Sequence, residues 1–68
     1  LEDSAQFILN KLKEKDGFIA LTDSSSPEEI MFKLQMSKKN FKKAIGILYK
    51  NRIIDIKEDG IQLLEVKP

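Results

Sequence analysis

The chain has 68 residues, 41% hydrophobic and 34% charged, with 12 Lys+Arg against 11 Asp+Glu for a net charge of +1. That is the composition of a folded globular unit rather than a disordered one, and a single domain of this length buries only about 60% of its unfolded surface. With no Cys and no His, it lacks disulfides, thiolate zinc ligands, the commonest general base and the thiol nucleophile, and no stretch approaches the ~20 apolar residues of a membrane span.

In chain order, Asp3 or Ser4 is expected to open a first helix over 4–15, with Asp3-x-x-Gln6 as a capping box. Ala5, Ile8, Leu9 and Leu12 share one apolar face, and Phe7 lies off its centre, partly exposed. Lys11, Lys13 and Lys15 place positive charge where the helix dipole favours it, and Gly17 ends the helix after Asp16. The run 18–22, FIALT, is too short for a helix between two breakers and suits one short strand. Asp23-Ser24-Ser25-Ser26 reads as a loop whose side chains bond their own backbone; a phosphosite is the other reading of the serine run. Ser26-Pro27-Glu28-Glu29 starts a second helix, with Ser at the cap, Pro at the first position and Glu closing the box. That helix runs to Leu34 with Ile30, Met31 and Leu34 facing inward, and Phe32 off that face.

Gln35-Met36 leads directly into SKKNFKKAIGILYKNR, residues 37–52. Ser37 is a natural N-cap, and Phe41, Ala44, Ile45 and Leu48 fall at the i, i+3, i+4, i+7 spacing of one helix face. At about 100° per residue the opposite face carries Lys39, Lys43, Gly46 and Lys50, with Lys42 on the flank. Asn51 is expected to take the left-handed conformation that ends the helix. Lys38, Lys39, Lys42, Lys43, Lys50 and Arg52 are half of the chain's bases, and this stretch holds no acid. The remainder sets six bases against all eleven acids, a net of −5. Near-neutral overall charge therefore conceals one concentrated basic surface. A charge run can be merely a solvated face, but solvated helices usually interleave both signs.

After Arg52 the apolar period changes from 3.6 to 2. Strands are expected over 53–57 and 61–66, joined at Asp59-Gly60 by a tight turn whose two positions need positive φ, with Lys67 and Pro68 fraying. The order helix, strand, helix, helix, strand, strand is that of an α+β winged helix-turn-helix, the hairpin being the wing and 18–22 the third strand of a small antiparallel sheet. Residues 1–68 read as one such domain, and the absence of an initial Met makes a C-terminal fragment of a longer multi-domain protein the expectation.

No catalytic, cofactor or metal site is expected. Asp55, Glu58 and Asp59 alternate faces or sit at a turn, without the spacing of a calcium loop. The three glycines are separate, so no phosphate-cradling loop exists, and Ser24–Ser26 has no base to activate it. The candidate nucleic-acid contacts are Lys39, Lys43 and Lys50, flanked by Lys38, Lys42 and Arg52, which would neutralise phosphates and release counterions. Gly46 costs about 0.5–1 kcal/mol in mid-helix relative to Ala. It marks either close packing against another element or a flat spot where a ligand approaches. Asn40 is a candidate for a base edge or a solvated residue. Tyr49 can stack on an unpaired base or pack at the core edge.

The loop-to-helix start LTDSSSPEEI, the helix SKKNFKKAIGILYK and the hairpin IDIKEDGI together resemble the C-terminal winged-helix domain of the conserved virulence factor B family, over roughly residues 8–64. The resemblance implies a cytoplasmic bacterial regulator that binds RNA, with S1-type modules preceding the winged helix and this domain assisting them. Absence of Cys fits the same compartment. RNA, single-stranded and read with weak specificity, is then the expected partner, alongside other domains of the same chain; no membrane partner is expected. Two features argue against a duplex DNA regulator. The basic helix offers lysine point charges rather than residues suited to bidentate base recognition until Arg52. The wing tip, Glu58-Asp59, would repel a phosphate backbone. Docking onto acidic protein surfaces is the alternative use of the same basic face.

Overall fold

The computed structural model describes residues 2–64. Three helices, α1 (Asp3–Glu14), α2 (Pro27–Leu34) and α3 (Lys38–Lys50), are joined by strands β1 (Phe18–Ile19), β2 (Ile54–Ile56) and β3 (Ile61–Leu63) in the order α1-β1-α2-α3-β2-β3. The sheet is antiparallel with β3 in the middle, between β1 and β2. Its register sets Phe18 opposite Gln62 and Ile19 opposite Ile61 on one side. On the other, Ile54 faces Leu63 and Ile56 faces Ile61. This is the winged-helix arrangement, with the β2–β3 hairpin as wing.

The core is assembled from one stripe of each helix and the inward face of the sheet. Ala5, Ile8 and Leu12 of α1, Ile30 and Leu34 of α2, and Phe41, Ala44, Ile45 and Leu48 of α3 are buried with Ile19, Leu21, Ile54 and Ile61. Leu9, Met36 and Leu63 pack against this cluster from its margin. The stripe expected for α3 is therefore buried in full, and of that expected for α1, Ala5, Ile8 and Leu12 are buried while Leu9 stays at the margin.

Local chemistry sets where the elements stop. The Ser26 hydroxyl accepts from the Glu29 N–H at 3.1 Å and Pro27 holds the first position of α2. The Ser37 hydroxyl accepts from the Asn40 N–H at 3.1 Å. Gln35 ends α2 in the left-handed region, its N–H donating to the Met31 carbonyl at 2.8 Å. Only residues 35–37 separate α2 from α3, the short turn of a helix-turn-helix. In the 22–25 loop, the Ser25 hydroxyl accepts from the Thr22 N–H and the Thr22 hydroxyl from Ser24, so that part of the serine run serves turn geometry.

Six expectations need correction. The cap of α1 is Glu2, whose carboxylate accepts from the Ser4 N–H; Asp3 lies inside the helix, Gln6 instead donates to Asn10, and the helix ends at Glu14. A charged carboxylate one residue earlier outcompetes the expected box for the same orphan donors. Strand β1 has two residues rather than five, because the Leu21 N–H turns back to the Ile19 carbonyl at 2.8 Å. Met31 is 51% exposed, since a two-turn helix buries its i, i+4 pair Ile30 and Leu34 and turns the next residue outward. Asn51 is not left-handed: its side-chain amide donates to the Ile47 carbonyl, and Arg52, with φ of 60°, takes the left-handed position. The wing turn is not the two-residue kind with positive φ at Asp59 and Gly60. A four-residue loop, 57–60, connects Ile56 to Ile61, closed by the Lys57 N–H donating to the Gly60 carbonyl at 2.8 Å. Finally, β2 and β3 each have three residues. The expected continuation of β3 to 65–66, and fraying at Lys67 and Pro68, lie outside the described residues.

Glycine is nonetheless required at position 60, for a different reason. A Cβ there would meet the Ile19 carbonyl oxygen and lie 2.5 Å from the Phe18 ring, so the wing passes directly against β1. The other end of the sheet is tied by Gly17, whose carbonyl accepts from both the Leu63 N–H at 2.6 Å and the Gln62 side chain at 2.9 Å.

Truncating Phe41 to Ala at the centre of this core should cost about 3–5 kcal/mol, the usual loss for a buried Phe. Urea unfolding followed by circular dichroism checks it, and a curve superimposable on that of the parent chain would contradict the packing described.

Candidate nucleic-acid interface

Burial of Phe41, Ala44, Ile45 and Leu48 fixes the rotation of α3, and rotation decides what faces solvent. Lys39, Lys42, Lys43, Gly46 and Lys50 are all exposed, and Asn40 is exposed on the same helix. Lys38, at the first turn, is half-buried. Lys39 and Lys50 are eleven residues apart, so the outward face extends about 16 Å along the helix axis. Arg52 lies past the helix end and is exposed, beside Tyr49 and Lys50 in a shallow groove against β2. Six of the eight candidate residues thus share one exposed helix, while Lys38 is partly withdrawn and Arg52 belongs to the corner that follows.

The face is not purely cationic. Glu2 reaches it from the start of α1: one carboxylate oxygen caps Ser4 at 2.6 Å, and the other lies 3.9 Å from the Lys43 ammonium. Among the described residues that second oxygen, shielded from solvent, has no hydrogen-bond partner, and Lys43 is the one cation within 4 Å of it. The hydrogen bond from the Ser4 N–H, with the Lys43 charge as a smaller contribution, holds the Glu2 carboxyl below the usual carboxylate range. No carboxylate among the described residues lies within 4 Å of the Lys39 or Lys50 ammonium. The same holds for Lys42, so Lys39, Lys42 and Lys50 carry less compensated charge than Lys43. The role of Glu2 was invisible in sequence because a capping box at Asp3 competes for the same signal.

Among the described residues nothing packs against Gly46: a Cβ built there meets no atom within 4 Å. Within them the close-packing reading finds no partner element, and position 46 presents an open surface. Tyr49 is 55% exposed and does not pack at the core edge. Phe32 is 85% exposed and Phe7 38%, the latter with the Lys11 ammonium 5.4 Å from its ring centre. Among the described residues no group of three or more acidic side chains converges to hold a metal, and no helix is long and apolar enough to cross a membrane.

The CvfB-like winged helix domain family matches residues 6–63. A protein of Staphylococcus saprophyticus called conserved virulence factor B is 48% identical over 65 residues, covering 96% of this chain and 22% of that protein. Its counterpart in Staphylococcus aureus is 48% identical over 63 residues, covering 93% of this chain and 21% of the other. The chain thus spans about a fifth of the length of these relatives. A crystal structure from Streptococcus pneumoniae, described as a multidomain protein with nucleic acid binding domains, superposes with a TM-score of 0.90 at 42% identity, covering 94% of this chain and 22% of that one.

Two measurements follow from this geometry. Gly46→Ala should stabilise the domain by about 0.5–1 kcal/mol, the ordinary helix gain where nothing obstructs the methyl; a lower melting temperature would mean that the site is not open. The folded-state pKa of Glu2 is depressed, so its contribution is fully present above the unfolded carboxylate value of about 4.3 and is lost as pH falls through the folded value. Glu2→Gln should therefore lower the melting temperature at pH 6, and the difference should shrink at progressively more acid pH. An equal difference at every pH would contradict the charged cap.

Proposed function

The chain belongs to the CvfB-like winged helix domain family, and on that footing we propose that it is a nucleic-acid-binding module whose contact with RNA is the outward face of α3. The observation that carries this reading is the segregation of charge: the exposed face of one helix holds Lys39, Lys42, Lys43 and Lys50, and the only carboxylate within 4 Å of any of their ammonium groups, among the described residues, is that of Glu2. Such a face attracts phosphate by counterion release, independent of sequence. The description of the Streptococcus pneumoniae neighbour as having nucleic acid binding domains supports the same class of ligand.

RNA with unpaired regions is favoured over duplex DNA. The wing tip, which in a groove-reading winged helix would lie along the backbone, carries exposed Glu58 and Asp59. The outward face of α3 offers point charges and one Asn rather than forked donors for base edges. The module therefore adds affinity without much sequence preference, in a cytoplasmic protein whose further domains supply the rest, and it performs no catalysis. A second use, packing against a neighbouring domain, is supported by Phe32 and Met31, which α2 leaves largely exposed.

A salt titration of single-stranded RNA binding tests the reading. Three to four neutralised phosphates give a log–log slope of about −2 to −3. Changing Lys39 and Lys50 together to Gln should reduce its magnitude by roughly 1.4, two phosphates' worth. A slope unchanged by these substitutions, or no binding at low salt, would remove α3 as the contact and leave domain packing as the function.

A further inference from the structure

We propose that the groove between the end of α3 and β2 seats one unpaired nucleobase, stacked on Tyr49, with its phosphate held by Lys50 and Arg52. The proposal rests on the nucleic-acid reading above and adds to it a base-binding position, and so a requirement for single-stranded ligand.

Three features converge there. Tyr49 presents a ring that is more than half exposed, on a helix whose other large apolar side chains turn inward. The groove beside it is lined by Tyr49, Lys50, Arg52, Ile54, Asp55 and Leu64. It thus joins an aromatic face and apolar walls to two cations, the combination that single-strand binders use for base and backbone. Among the described residues Asp55 is its one carboxylate and disfavours a phosphate on its own side, which leaves the phosphate to Lys50 and Arg52.

The third feature is that two neighbours of Tyr49 are poor choices for stability alone. A long helical side chain leans back over the preceding turn, which for Tyr49 is the turn containing Gly46. A Cβ at 46 has no atom of the described residues within 4 Å, so no packing among them demands glycine there, and the turn before Tyr49 is left bare. Arg52 occupies the left-handed position with φ of 60°, as Asp16 and Gln35 do after the other two helices, where Gly or Asn is the relaxed residue. What sets Arg52 apart is that its side chain lines the groove beside Tyr49 and adds a forked cation there.

Tyr49 is the only tyrosine and the chain has no tryptophan, so tyrosine fluorescence reports this ring alone. The chain is titrated with a dye-labelled oligouridylate and with an abasic strand of the same length and charge, affinity being read from dye anisotropy and stacking from inner-filter-corrected quenching. The expected result is quenching by the oligouridylate only, with roughly tenfold tighter binding than the abasic strand, the scale of one base–aromatic stack. That ratio should fall towards one in Tyr49→Ala and stay in Tyr49→Phe, which keeps the ring. Equal binding of both strands by the parent chain, or a ratio unchanged in Tyr49→Ala, would overturn the base seat while leaving the phosphate reading intact. Binding of neither strand would overturn both.

Discussion

Phe41, Ala44 and Leu48 have no measurable exposure, and Ile45 has 3%. Around this stripe the rest of the domain takes its place: α1 contributes Ala5, Ile8 and Leu12 to the same cluster, α2 contributes Ile30 and Leu34, and the sheet contributes Ile19, Ile54 and Ile61. A domain this small has little apolar surface to spare, so rotating α3 would expose the largest part of its core. The stripe therefore does two things at once. It holds the fold together, and it fixes Lys39, Gly46 and Lys50 on the side that water and ligands reach. The surface proposed for RNA is a consequence of core packing, with no separate device needed to present it.

Several residues on and beside that surface are worse for stability than common alternatives. Gly46 gives up helix propensity with no packing in return. Arg52 holds a left-handed backbone that costs roughly 1–2 kcal/mol for an L-residue. Clustered lysines repel one another, and among the described residues a carboxylate, that of Glu2, offsets this only at Lys43. Exposed ion pairs such as Lys33–Glu29, at 3.3 Å on α2, contribute little to offset these losses. Asp16 and Gln35 hold the same left-handed backbone after α1 and α2, so that cost is common to all three helix ends, whereas the uncompensated glycine and the lysine cluster both lie on the outward face of α3, where function constrains a surface.

The helices, their order and the core stripe were legible in the sequence because each rests on short-range rules: 3.6-residue spacing, Ser caps at 26 and 37, and a breaker at Gly17. What escaped depended on contacts between distant segments or on competition between neighbours. Gly60 looked like half of a two-residue turn, but its glycine is required by the passage of β1, some forty residues earlier in the chain. Two adjacent acids, Glu2 and Asp3, competed for one cap, and spacing alone cannot rank them. Met31 and Ile30 are equally apolar, and only the position of α2 against α3 decides which is buried. Of the candidate site, the charge segregation was readable. The partial neutralisation of Lys43 and the exposure of Tyr49 were not, because both require knowing which element lies beside α3.

The central claim, that the outward face of α3 is the nucleic-acid contact, is tested most directly by mapping backbone amide shifts of the labelled chain on addition of a short single-stranded RNA. The account predicts perturbations concentrated at Lys39, Lys43, Gly46 and Lys50 and extending to Tyr49 and Arg52, with α2 unmoved. Perturbations centred on Phe32 and Met31, or on the wing loop around Glu58, would contradict it and place the contact on a different surface.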